Sequence, residues 1–223
     1  MKVLAINGSA RKDGNTAILI NIIFEELNKA GIETEMVQFS GNVIEPCKAC
    51  WACDGQKNCV HRKDMFREVF DKMMNADGII LGSPVYCANI SANMQAFLER
   101  AAVVCDMNRG ELNNRYKVGA SVAAVRRGGS LQAIDAMNHF FLNQEMIVVG
   151  STYWNMVYGQ IPGDVLKDEE GLIIQTVVQI VSKMTLLPAL PFPAVWKIWS
   201  NTIQFCSVIR FGTDRHQELS VHF

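Results

Sequence analysis

Long apolar runs are missing from this chain. No stretch of about 20 uncharged, apolar residues occurs, which argues against a membrane-spanning helix. A strong charge of either sign is missing too: 21 Lys and Arg against 22 Asp and Glu leave a net charge of −1, so there is no electrostatic footprint for nucleic acid. Nothing at the start reads as a signal peptide, because Met1–Ile6 already has the character of a strand, and a cytoplasmic home is expected. Two nucleotide signatures are absent as well. A Walker loop ends in Gly-Lys-Ser/Thr, whereas Gly14 is followed by Asn15 and Thr16, and no Gly-x-Gly-x-x-Gly occurs.

What is present begins at the N-terminus. The apolar run Met1–Ile6 stops at a loop containing Gly8, Ser9, Arg11, Gly14, Asn15 and Thr16. Beyond it, Ile18, Leu19, Ile22, Ile23 and Leu27 recur at helical steps. A buried strand that delivers a polar loop onto a helix N-terminus makes an anion site, because amides point outward and the helix dipole favours negative charge. Ser9, Asn15 and Thr16 add side-chain donors, and Arg11 adds a fixed positive charge. The terminal phosphate of a mononucleotide such as FMN suits this loop. The alternative is an ordinary strand-to-helix turn capped by Asn15 or Thr16.

Further along, strands alternate with helices. Residues 31–39 read as a second strand, 64–74 as a helix, and 77–83 as a continuous apolar strand of the kind buried in parallel sheets. Residues 91–104 read as a helix, 116–125 as a fourth strand, 130–143 as a helix and 146–151 as a fifth strand. The alternation implies a doubly wound α/β fold with a five-stranded parallel sheet in the flavodoxin-like order 2-1-3-4-5. Ligands then sit beyond the carboxyl ends of strands one and three. The loops Ser83–Asn89 and Arg126–Gly129 follow strands three and four, so three strand ends converge on one pocket.

Taken together, Gly8-Ser9-x-Arg11-x-x-Gly14-Asn15-Thr16, Gly82-Ser83-Pro84-Val85-Tyr86 and Arg126-x-Gly128-Gly129 resemble the NADPH-dependent FMN reductase family. With the cysteines below, they resemble its iron–sulfur flavoprotein branch, over roughly residues 1–172. The resemblance implies that Ser9, Arg11, Asn15 and Thr16 bind the FMN phosphate, that Pro84, Val85, Tyr86 and Asn89 line the isoalloxazine and ribityl chain, and that Arg126 and Gly129 reach the ring's polar edge. The Pro84–Tyr86 backbone can form a wall for a flat ring, and Gly128-Gly129 permits close approach of main chain. No side chain is assigned acid or base work, since the cofactor carries the chemistry.

The seven cysteines, without a secretory signal, point to metal or redox chemistry rather than disulfides. Cys47, Cys50, Cys53 and Cys59 are separated by two, two and five residues. Such compact spacing resembles a [4Fe–4S] loop, in which tight turns let all four thiolates face one cluster. Zinc sites more often pair two Cys-x-x-Cys knuckles across a longer span. Merely structural thiols, or zinc, remain open alternatives. Trp51 packs on a cluster, enters a subunit contact or anchors the loop. Cys87, Cys105 and Cys206 are expected simply to pack, Cys87 as a small buried residue near a strand end. His61 and His139 receive no role.

The expected organisation is an FMN-binding domain over residues 1–187, with the cysteine loop 45–62 inserted and a C-terminal extension over 188–223. Pro188, Pro191 and Pro193 break any helix there, and the apolar, aromatic segment 195–205 is expected to pack on the core or a neighbouring subunit. The resemblance adds a homodimer or homotetramer. The leading functional expectation is an FMN-dependent oxidoreductase that passes electrons between a [4Fe–4S] cluster and FMN, with a ferredoxin-like redox partner or NAD(P)H as donor. The alternatives are a cluster-free NAD(P)H-dependent FMN or quinone reductase, and a non-enzymatic flavin- or zinc-binding module.

Overall fold

The computed structural model describes residues 1–176. The extension over 188–223, with Cys206, and the last residues of the domain expected to run to 187 lie outside the described residues. Strand β1 (Lys2–Asn7) leads into helix α1 (Asn15–Lys29), followed by β2 (Glu33–Gln38), α2 (Phe66–Asn75), β3 (Gly78–Pro84) and α3 (Ala92–Met107). Then come β4 (Val118–Val125), α4 (Ser130–Asn143), β5 (Ile147–Val148), β6 (Met156–Tyr158) and α5 (Glu169–Thr176). All pairings in the sheet are parallel, in the order β2-β1-β3-β4-β5, with β6 also on β4.

The central strands are buried on both faces, as their unbroken apolar runs require. Leu4, Ile6, Ile79 and Leu81 face a core built with Phe66, Phe70, Phe97 and Phe141 of α2, α3 and α4. Within it, the rings of Phe66 and Phe70 stack at 5.5 Å, and Phe97 sits 5.4 Å from Phe66. Each such fully buried ring contributes about 1.5–3 kcal/mol of transfer free energy. The opposite face receives α1, through Leu19, Ile20 and Ile23. Gly82 lets that helix approach, since a Cβ there would lie 2.8 Å from Ile20 and 3.1 Å from the Thr16 methyl.

The fifth strand differs from the expected single run over 146–151. Ile147 and Val148 pair with Val118 and Gly119, the chain then leaves the sheet, and Met156–Tyr158 returns to pair with Ala123–Val125 of the same β4. Gly150 and Ser151 are weak strand formers and release the ladder. Pairing resumes where the Asn155 carbonyl accepts from the Ala123 amide at 3.0 Å.

Candidate functional site

The loop after β1 is held in a fixed curve by its own polar groups. The Ser9 amide donates to Asn7 Oδ1 at 3.0 Å, and the Arg11 amide donates to Ser9 Oγ at 3.0 Å. Gly14 is the N-cap of α1, and no side chain caps the helix. Asn15 and Thr16 therefore lie inside the first turn, so the capped-turn alternative is not the arrangement adopted. Among the described residues, their amides have no acceptor, and an uncapped N-terminus keeps its unpaired N–H groups and positive dipole end available. Ser9, Asn15 and Thr16 are buried, while the Arg11 side chain is exposed beside them.

Two further loops join this one. The Gly8 amide donates to the Gly82 carbonyl at 2.8 Å, and the Ser91 hydroxyl donates to the Gly8 carbonyl at 2.7 Å. The loop after β3 folds back as a tight hairpin in which Tyr86 and Asn89 exchange both backbone bonds. Its tip, Cys87 and Ala88, has φ of 48° and 59°, left-handed values that non-glycine residues adopt only at a cost. That tip puts Cys87 in solvent, which corrects the expectation of a buried residue. The loop after β4 packs on the hairpin: Gly129 has φ of 94°, and a Cβ there would fall 2.5 Å from the Ala88 Cα. Pro84 and Val85 are half-buried, whereas Tyr86, Asn89 and Arg126 stand exposed on this rim.

A fourth segment was not foreseen. The chain after β6 closes the rim, with the Gly163 amide donating to Asn15 Oδ1 at 2.9 Å and Arg11 donating to the Gln160 carbonyl at 3.2 Å. The Gly-Gln-Ile-Pro-Gly run at 159–163 was a turn signal, but nothing local connects it to residue 15.

The cysteines form a second centre. Residues 43–50 have no regular structure, and Cys47, Cys50, Cys53 and Cys59 all border one small cleft that opens to solvent. Cys53 and Cys59 are buried, Cys47 is half-buried and Cys50 is exposed. Burial pushes the Cys53 thiol up, and Cys59, Cys47 and Cys50 push it the same way. Ala49 and Trp51, between the cysteines, are left-handed at φ 48° and 56°. Trp51 is 57% exposed, so it is no buried anchor. His61 also borders the cleft, with Nε2 3.5 Å from Cys50 Sγ, a neighbour to which sequence reasoning gave no role.

Helix α3 holds this loop through residues that sequence reasoning missed. Asn93 accepts from the Ile44 amide, Glu99 accepts from the Cys47 amide, and Asn108 donates to the Cys53 carbonyl at 2.9 Å. Arg100 is 2% exposed and pairs with Asp64 at 2.6 Å. The only available signal was the polar residues spaced along an otherwise buried helix.

The model for NADPH-dependent FMN reductases matches residues 1–160. The chain belongs to this family. An iron–sulfur flavoprotein of Methanocaldococcus jannaschii is 37% identical over 179 residues, spanning 77% of this chain and 90% of that protein. An iron–sulfur flavoprotein of Methanosarcina thermophila is 35% identical, spanning 82% of this chain and 93% of that one. These relatives place the chain in the iron–sulfur flavoprotein branch. In fold it is similar to RosB, whose structure holds the intermediate 8-demethyl-8-formylriboflavin-5'-phosphate, with a TM-score of 0.64, 17% identity and coverage of 100% of this chain and 94% of that one. The family makes the protein an FMN-dependent oxidoreductase.

The residues present fit both groups that the branch name implies. For FMN, the uncapped helix start and its buried hydroxyls suit a phosphate. For a cluster, the donor set is four thiols around one cleft. Among the described residues no group of three or more His, Cys, Asp or Glu is placed to hold a single metal ion.

Proposed function

We propose that the protein is an iron–sulfur flavoprotein that passes electrons between a [4Fe–4S] cluster and FMN. The observation that carries this reading is the common cleft of Cys47, Cys50, Cys53 and Cys59, within a chain whose first loop and helix form an uncapped anion site. Ser9, Arg11, Gly14, Asn15 and Thr16 hold the phosphate. Pro84, Val85, Tyr86 and Asn89 wall the ring, and Arg126 with the Gly129 backbone meets its polar edge. Bound there, FMN supplies two-electron chemistry and the cluster one-electron chemistry.

The protein's own part is to hold, orient and insulate. The Gly129–Ala88 contact stiffens the ring wall, and the Asn15–Gly163 bond closes the phosphate loop from the far side. A ferredoxin-like protein or NAD(P)H is the donor, and the assembly is a homodimer or homotetramer in the cytoplasm.

The test is anaerobic purification followed by an absorption spectrum and iron and acid-labile sulfide assays. Four iron and four sulfide per chain alongside one FMN is the expected result. Flavin without iron would overturn the cluster and leave the cluster-free NAD(P)H-dependent FMN or quinone reductase.

A further inference from the structure

Arg100 makes more polar contacts in the described part of the molecule than its place on a buried helix requires. Its Nε donates to Cys59 Sγ at 3.1 Å. Its Nη1 donates to Asp64 Oδ2 at 2.6 Å and to the Glu45 carbonyl at 3.3 Å, and its Nη2 donates to the His61 carbonyl at 2.9 Å. The guanidinium also lies 4.2 Å over the Phe66 ring. Glu45 precedes the first of the four cysteines and His61 follows the last, so one side chain ties both ends of the loop. Asp64 reinforces the tie by accepting from the Glu45 amide at 2.8 Å.

We infer that Arg100 is a positioning residue that sets the electrochemistry of the group held by the four cysteines, through its bond to Cys59. This inference rests on the cluster reading above. A neutral fold would be served as well by an apolar side chain here, since buried ion pairs are often no more stabilising than their apolar replacements. What an apolar residue cannot supply is a positive charge and an N–H aimed at a ligand sulfur. Reduction adds negative charge to an iron–sulfur centre and its thiolates. A buried guanidinium against one of them therefore favours the reduced state, and hydrogen bonds to the sulfurs are among the determinants of cluster potential. Asp64 offsets part of that charge, but it faces Nη1 on the far side of the guanidinium from the Nε that meets Cys59. The Glu45 and His61 carbonyls are held by Arg100 and not by sulfur, so both ends of the loop are tied without help from the metal.

The experiment compares wild type with Arg100→Lys and Arg100→Met, each purified anaerobically. Iron, sulfide and FMN content are measured, and the midpoint potential of the cluster is followed by its visible and EPR signals during redox titration. Arg100→Lys keeps the charge without the fork, and is expected to load iron and FMN as wild type does, with a cluster potential shifted to a more negative value. Arg100→Met is expected to shift it further and to lose part of its iron, while FMN content stays unchanged. A loaded Arg100→Lys or Arg100→Met protein with an unshifted potential overturns the inference and leaves Arg100 a structural clamp. Wild-type protein that takes up no iron and sulfide overturns the cluster reading, and this inference falls with it. The two failures are therefore distinguishable.

Discussion

The Ser91 hydroxyl donates to the Gly8 carbonyl at 2.7 Å while accepting from the Met94 amide at 3.3 Å. One buried oxygen thus caps helix α3 and fastens the loop after β1 to the loop after β3. Gly8 has no room to replace that contact by packing, since a Cβ on it would lie 2.8 Å from Ser91 Oγ. The substitution Ser91→Ala removes the cap and leaves the buried Gly8 carbonyl unpaired. A loss of about 1–3 kcal/mol in unfolding free energy is expected from urea titration. FMN release should quicken in the same variant.

Gly129 is predicted to accept no side chain. Alanine there meets the Ala88 Cα at 2.5 Å and must hold φ at 94°, a left-handed value costing about 1–2 kcal/mol before the clash is counted. The hairpin tip at Cys87 and Ala88 has to move. Gly129→Ala should raise the FMN dissociation constant by roughly tenfold or more, each factor of ten being about 1.4 kcal/mol. Fluorescence titration of the apoprotein with FMN measures it, and wild-type affinity in the variant would refute the ring-wall assignment.

The phosphate assignment is tested by Arg11→Ala combined with Thr16→Val. Hydrogen bonds to charged groups contribute about 1.5–3 kcal/mol each, so the double variant should lose FMN on gel filtration, with affinity down roughly a hundredfold or more. Riboflavin, which lacks the phosphate, should bind wild type and variant alike. Unchanged FMN affinity would remove these two residues from the site.

Stability should also depend on alkaline pH in a way two buried groups dictate. Burial lowers Lys117 from 10.5 to about 8, although its ammonium donates to the Met73 and Met74 carbonyls at the end of α2. Between about 8 and 10.5 the unfolded chain holds a proton that the folded chain has released, so stability rises with pH across that window. Burial pushes the Cys105 thiol up from 9.0 to about 12, so there the folded chain keeps a proton the unfolded chain has lost, and stability falls as pH rises from 9.0 to about 12. Of these two groups, Lys117 contributes the larger part of the change between about pH 8 and 9. Chemical unfolding of Lys117→Met should show a flatter slope across that interval than wild type, whatever the variant's absolute stability.

Much of the fold was legible because its signals are local. The apolar run at β3 and the periodicity of α4 mark their elements to within a residue. The switch-point rule then located three of the four rim loops. What was illegible depends on contacts across long separations. No feature near Ile147 announces that its strand will stop after two residues and resume at Met156. Asn15 accepting from Gly163 spans 148 positions, and Arg100 reaching Cys59 spans 41. An arginine on a helix is by default a solvated side chain, and only the tertiary position of Glu45 and His61 turns it inward.

The interrupted edge of the sheet has a further consequence, for colloidal behaviour. An exposed strand is a template on which another chain can add, and long flat edges invite aggregation. Here the β4 side ends in pieces of two and three residues that pair at separate points, so no continuous ladder is offered. The opposite edge, β2, is guarded by charge: Glu33 and Glu35 lie on it, with Lys2 of β1 2.6 Å from Glu35 and Lys72 of α2 3.1 Å away. An incoming strand would have to desolvate those ions to pair. Among the described residues, both margins of this sheet thereby resist strand addition, one by brevity and the other by hydration.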